Sequence, residues 1–217
     1  MKPDDRKTDT RKYKCFTRQS GKVVCDKPLP ATKQGRSGMQ AGINKNIMVA
    51  YFSRKGQNYV NGKIVNLPIG NTEVVAKIIQ KITGSGIFHI ESVKPYPVDY
   101  TEATEVAKAE MNADARPELT GGIENMDTFN VIFLGYPIWW GTFPAPVKTF
   151  LSEYDFSGKT IIPFCTHEGS GLGHSQQDIK KLCPMAAVLN GIAIHGADAG
   201  SAKTKISEWL KKINITK

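Results

Sequence analysis

Apolar residues in this chain gather into five short runs, and the stretches between them carry apolar positions at helical spacing. The runs fall at 46–52 (NIMVAYF), 86–93 (centred on IFHIESV), 131–134 (VIFL), 160–165 (TIIPFC) and 187–194 (AVLNGIAI). Each has the length of a strand. Unbroken apolar runs suit strands covered on both faces, as in a mostly parallel sheet. Gly135 and Pro137 are expected to stop the third strand, because proline has no N–H for the ladder. After Asn71-Thr72-Glu73, residues Val74, Val75, Ile78, Ile79 and Ile82 form one helical stripe, with Gly84 as its C-cap. Further helices are expected over 100–116, from Pro146 through PVKTFLSEY, over about 176–182 and over 201–213. The last of these would bury Ile206, Trp209, Leu210 and Ile213.

Strands and helices thus alternate, which predicts a doubly wound α/β sandwich of one domain. One insertion interrupts the alternation. Between the first strand and the first helix lies NYVNGKIVNLPIG, where Asn61-Gly62 between β-prone segments signals a hairpin. Ahead of the first strand, residues 1–45 are polar, with scattered Gly and Pro, and LPATKQGRSGMQAG reads as linker. A short hairpin around FTRQSGKVVC, turning at Ser20-Gly21, is compatible with that stretch.

Charge changes the picture only once it is divided. The net charge is +9, but residues 1–45 hold 12 Lys/Arg against 4 Asp/Glu, a net of +8. The other 172 residues hold 17 against 16, a net of +1. Basicity therefore belongs to the leader, expected to be disordered and solubilising, and no nucleic-acid partner is expected. No apolar run reaches the roughly 18 residues of a membrane span. The opening MKPDDRKTDTRKYKC lacks the apolar core of a signal peptide, so the expected location is the cytoplasm. Cys165 and Cys183 sit in apolar settings and are expected as reduced core thiols. Cys15 and Cys25 make no zinc pattern, and the four histidines show no three-ligand spacing, so no metal site is expected.

Ligands of open α/β sheets lie beyond the carboxyl ends of the strands. Three loops are expected there. The first offers Ser53, then Asn71-Thr72 at a helix start, where free N–H groups favour an anion; the same pair also fits an ordinary cap. The second is Pro137, Ile138, Trp139, Trp140, Gly141 and Thr142, whose two indoles suit a flat, partly apolar ligand. The third is Thr166, His167, Glu168, Gly169, Ser170 and Gly171, where glycines let backbone approach a ring closely. Neither GxGxxG nor GxxxxGK[ST] is present, which excludes the dinucleotide fingerprint and the triphosphatase loop. A phosphate seat, an aromatic wall and a glycine loop together call for a planar ring carrying one phosphate. Flavin mononucleotide, FMN, fits better than a nicotinamide dinucleotide.

Four stretches, NIMVAYFSRKG, GNTEVVAKIIQ, VIFLGYPIWWGTFPAPVKTFL and TIIPFCTHEGSGLG, closely resemble the flavodoxin-like family, in a bacterial branch with a GYPxWWGT motif. The resemblance runs from Asn46 to about Lys212. It implies a three-layer α/β/α sandwich with a five-stranded parallel sheet of order 2-1-3-4-5, and non-covalent FMN. Residues 1–45 would be a leader and 46–217 the FMN-binding domain. Carried over, Ser53 and Asn71-Thr72 would hold the phosphate, with Arg54 assisting. Residues 137–142 would flank the isoalloxazine, with Trp139 or Trp140 against it, and 166–171 would line its polar side. His167 and Glu168 would either hydrogen-bond the flavin or stand at a solvent edge. The chain departs from short flavodoxins in the seventeen residues between Ser53 and Asn71. The insertion, 58–69, is expected to project outward, with covering the flavin or shaping a partner site as alternatives; if it displaces Ser53 instead, that phosphate assignment fails.

Three functions follow. The first is an FMN electron carrier working with a redox partner protein, which needs no catalytic acid, base or nucleophile. The second is an FMN-dependent NAD(P)H oxidoreductase acting on quinones or nitro compounds. The third is a flavin-free binding or regulatory protein. A monomer or homodimer is expected.

Overall fold

The computed structural model describes residues 15–17, 23–25 and 46–216, in two units, Met1–Ile43 and Asn44–Lys217. In the first unit β1 (Cys15–Thr17) pairs antiparallel with β2 (Val23–Cys25), placing Phe16 opposite Val24. The turn expected at Ser20-Gly21, the linker and the disorder expected of the leader lie outside the described residues.

The second unit is built on one parallel sheet. Its strands are β3 (Ile47–Tyr51), β6 (Gly86–His89), β7 (Val131–Pro137), β8 (Thr160–His167) and a fifth strand in two pieces, β9 (Ala187–Val188) and β10 (Ile192–His195). The spatial order β6-β3-β7-β8-β10 is the 2-1-3-4-5 order. Alternate residues bury against opposite layers. Ala50, Phe52, Ile132, Leu134 and Tyr136 join Val147, Phe150 and Leu151 of α3 (Ala145–Glu153) and Ile179 of α4 (Ser175–Leu182). Val49, Tyr51, Phe133, Ile162 and Phe164 join Val75 and Ile79 of α1 (Asn71–Thr83) and Ile206 and Leu210 of α5 (Lys203–Lys212). The stripe expected on α1 is the buried one, and Gly84 caps it at φ 65° with its N–H on the Gln80 carbonyl. The three-layer α/β/α sandwich is therefore present.

The boundaries differ from the hydrophobic pattern in instructive ways. Strand β7 does not stop at Leu134: Gly135, Tyr136 and Pro137 stay paired with Phe164, Cys165 and Thr166. Gly135 is there for packing. A Cβ on it would lie 2.1 Å from the Phe164 ring. The second strand ends at His89, because Ser92 pairs back onto Leu119. Helix α2 (Tyr100–Asn112) starts on the Asp99 carboxylate, which accepts the Glu102 N–H, and ends early where Asp114 turns to φ 51°. A short 3-10 turn over Gly196–Ser201 takes the residues before α5.

The fifth strand is split for a local reason. Val188 stands opposite Ile161 and Ile192 opposite Phe164, so three intervening residues face two, which is a bulge. The Ile161 carbonyl accepts from Leu189, which turns the nitrogen of Pro163, two residues on, toward the same neighbour. Proline supplies no donor there, and bulges are where a sheet interior accommodates it. Gly191 fits beside it, 2.5 Å from the Pro163 carbonyl oxygen were a Cβ present.

The insertion forms a hairpin of β4 (Gly56–Val60) and β5 (Lys63–Leu67). Its turn is Asn61-Gly62 with φ 49° and 81°, the doubly left-handed turn that matches strand twist. Cys165 and Cys183 are free and buried, and burial pushes their thiols up to about 12 and about 11. Among the described residues no helix is long and apolar enough to cross a membrane.

Gly135→Ala is expected to destabilise the protein by about 1–3 kcal/mol through overpacking against Phe164, read as a lower denaturation midpoint. An unchanged midpoint would show that the Phe164 ring relaxes freely.

Candidate functional site

The parallel sheet sets the carboxyl ends of β3, β7, β8 and β10 at one edge. Ser53 follows β3, and its hydroxyl accepts the Glu73 N–H at 3.1 Å, which fixes it at the start of α1. Gly70 allows this approach. A Cβ there would lie 2.2 Å from Ser53 Oγ and 2.5 Å from the Arg54 carbonyl oxygen. Ser53 and Asn71-Thr72 thus remain together although a hairpin separates them in the chain. Gly70 also leaves α1 without a side-chain cap. Among the described residues the Asn71 and Thr72 N–H groups meet no acceptor, so the helix start presents free donors and the positive end of its dipole. Beneath them the Thr72 and Thr166 hydroxyls lie 2.7 Å apart, both buried. One hydrogen serves that contact and the other is free for a third oxygen.

Arg54, next in the chain after Ser53, has its donors engaged elsewhere. Its guanidinium donates to the carbonyls of Pro97 (2.8 and 3.1 Å), Val98 (2.7 Å), Asp99 (3.0 Å) and Gln57. Burial lowers its pKa from the ordinary arginine value, partly offset by Asp99. It clamps the segment that leads into α2.

A cavity of about 150 Å³ brings together Ser53, Arg54, Asn71, Thr72, Pro137, Ile138, Trp139, Thr166, His167 and Glu168. It shares Arg54, Asn58, Tyr100, Ile138 and Trp139 with a second cleft of about 240 Å³ that continues along α2 to Trp140. The two tryptophans have different places. Trp139 lines both clefts and is braced edge-on by Phe52 and Tyr96, with ring centroids at 5.5 and 5.1 Å. Trp140 is 46% exposed, lines only the second of these, and lies under the Lys108 ammonium at 5.2 Å. Trp139 and Thr142 exchange both backbone hydrogen bonds around a turn in which Trp140 has φ 51° and Gly141 φ 84°. A tryptophan at positive φ is strained. Gly141 and Thr142 hold this turn to α4: the His174 N–H donates to the Gly141 carbonyl at 2.9 Å, and the Thr142 hydroxyl to Asp178 at 2.8 Å.

In the third loop Thr166, His167 and Glu168 face the cavity, whereas Gly169, Ser170 and Gly171 do not line it. The Gly171 carbonyl accepts from the Cys165 thiol, and Gly169 donates to His167 Nδ1 at 2.9 Å. Burial, then the neighbouring His195, push His167 below the ordinary imidazole value. A neutral ring suits an Nδ1 that accepts. Glu168 Oε2 lies 3.6 Å from His195 Nε2 and accepts the Asn61 N–H at 3.0 Å. The hairpin therefore folds back to the sheet edge rather than projecting outward.

Five residues missed by the sequence reading belong to this site. Asn58, Tyr59, Tyr100 and Gly196 line the cavity, and Gly70 shapes the seat. Gly70 carried a signal, since it directly precedes Asn71-Thr72, and Gly196 follows a strand end. Nothing in the pattern of the hairpin says that it folds back.

The flavodoxin family model matches residues 46–213. The chain belongs to the flavodoxin family. As a member it is an FMN-binding protein of electron transfer. It is similar to the crystal structure of a candidate flavoprotein from Bacteroides eggerthii, at 29% identity and TM-score 0.65, over 80% of this chain and 100% of that one. A second, from Bacteroides uniformis, gives 25% identity and TM-score 0.59 over 75% and 98%. A Lactobacillus acidophilus flavoprotein solved with FMN shares the fold at 17% identity and TM-score 0.54, over 76% and 98%. Among curated proteins no relative matches.

The two roles open to Arg54 separate in one variant. Arg54→Lys keeps the charge but loses the planar fork. As a clamp, Arg54 is expected to cost about 1.5–3 kcal/mol on this change, the scale of hydrogen bonds to charged groups, seen in urea unfolding of the apoprotein. Unchanged stability would remove the clamp.

Proposed function

We propose that the protein is a cytoplasmic electron carrier that seats the FMN phosphate on Ser53 and Asn71-Thr72 and its isoalloxazine against Trp139. The observation that carries this reading is the start of α1, where Gly70 supplies no cap and the Asn71 and Thr72 N–H groups stay free beside the cavity that Trp139 and Thr166 also line. The seat has the donors a phosphate needs without a free Lys or Arg: two backbone amides, the Ser53 hydroxyl and one hydrogen from the Thr72–Thr166 pair. The two joined clefts fall in the size range of small-molecule sites. Pro137 and Ile138 line the cavity beside Thr166, to which they are paired, and Thr166, His167 and Glu168 add polar groups to the same lining.

FMN supplies the redox chemistry, accepting and releasing one or two electrons at its ring. The chain's own residues bind, orient and shield. Trp139 excludes water from one face, and its bracing by Phe52 and Tyr96 holds it ready. No residue need exchange a proton with a substrate. The near-neutral domain offers little long-range attraction to a charged partner.

A second reading, an FMN-dependent NAD(P)H oxidoreductase, has its own support. Beyond the tryptophan pair a cleft of about 350 Å³ opens between α2, α3 and α4, lined by Trp139, Trp140, Met111 and Phe143. It has room for a second flat molecule.

Purified protein is expected to be yellow, with about one FMN per chain. Trp139→Ala is expected to weaken FMN by about 0.5–1.5 kcal/mol beyond lost area, and Trp140→Ala by less, in a fluorescence titration. Equal or absent effects would remove Trp139 as the ring's wall. Stopped-flow mixing with NADH and NADPH separates the two readings. A carrier is expected to stay oxidised until a reductase is added, and rapid bleaching by either nucleotide would favour the enzyme.

A further inference from the structure

The hairpin is attached within the site itself. It leaves the chain after Ser53 and Arg54 and returns at Gly70, so it is inserted between the two halves of the phosphate seat. Its ends are pinched. Gly56, at φ 91°, packs against Val98, and Gly70 packs against Ser53. Between the ends it buries little: Ile64, Val65 and Ile69 are exposed. An isolated two-stranded hairpin is marginal in water. Its position is therefore decided by a few contacts. Tyr59 lies against Tyr100, with ring centroids 6.2 Å apart. At the tip the Asn61 N–H donates to Glu168 Oε2 at 3.0 Å, a contact 107 residues apart in the chain. Asn58 and Tyr59 line the cavity beneath.

We propose that this hairpin is a latched lid on the cofactor cavity, with the Asn61–Glu168 hydrogen bond as its latch. FMN enters and leaves when the bond is broken, and Asn58 and Tyr59 cover it when the bond is made. The proposal rests on the FMN reading above. A lid differs from a simple contact in its kinetics. A residue that only touches the ligand changes the rate of leaving, whereas a latch holds back entry as well.

The test is stopped-flow binding of FMN, followed by loss of flavin fluorescence, and displacement of bound FMN. Glu168→Ala removes the acceptor, and Glu168→Gln keeps an oxygen in its place. With Ala, both association and dissociation are expected to accelerate by about tenfold, on the scale of one hydrogen bond to a charged acceptor; Gln is expected to retain most of the wild-type slowness. Unchanged association in the Ala variant would overturn the lid. Amide exchange at Asn61 in the apoprotein reads the latch without the cofactor. Protection in the wild type that is lost with Ala supports it, and an unprotected Asn61 amide in the wild type overturns it. Failure of the wild type to take up FMN would instead sink the cofactor assignment, leaving amide exchange to judge the latch.

Discussion

The whole site depends on one close approach, the backbone of Gly70 against the Ser53 hydroxyl and the Arg54 carbonyl. A parallel sheet brings strand ends to one edge, but it does not decide what the diversion from Lys55 to Ile69 does to the loop that carries it. The pinch decides it. With no side chain at 70, the chain enters the helix directly against Ser53 and the Arg54 carbonyl. The hydroxyl before the diversion and the amides after it therefore lie side by side along one cavity. The same absence of a side chain leaves the helix without a cap from Gly70, so the geometry that closes the loop also leaves the first two donors free.

Most of the fold was legible because the central strands β3, β7 and β8 are buried on both faces and so spell themselves out as apolar runs. The Asn61-Gly62 turn was legible for a different reason: few residues tolerate two consecutive left-handed positions. Strand ends were harder. Gly135 and Pro137 look like breaks in any local reading, yet both lie within a strand. Gly135 yields room to a ring on the neighbouring strand, and Pro137 is the last residue, where a missing donor matters least. Such reasons are tertiary and leave no mark on the residues alongside. The split of the last strand is likewise caused from outside it, by a proline on β8.

The site was legible in its types of residue and less so in their employment. Ser53, Asn71 and Thr72 stand where a strand end followed by a helix start would put them. Arg54 shows the limit. A cation next to a phosphate loop invites an electrostatic role, but the guanidinium points to a row of carbonyls forty-odd residues away. The tryptophan pair shows it again. Two identical side chains in succession must diverge, and only the tight turn at Trp140-Gly141 settles which one faces the cavity.

The extra residue in the last strand has a consequence for how this molecule tolerates change. Side chains alternate along a strand, so one added residue exchanges the inward and outward sets from there on. Here it delivers Ile192 and Ile194 to the core and leaves His195 beside His167 at the rim. Removing one residue between Val188 and Ile192 would turn the isoleucines away from the α1 and α5 side toward the layer where Ala193 packs, and turn His195 toward the buried side they leave. In this connection length matters as much as chemistry, and substitutions there are a milder insult than a single deletion.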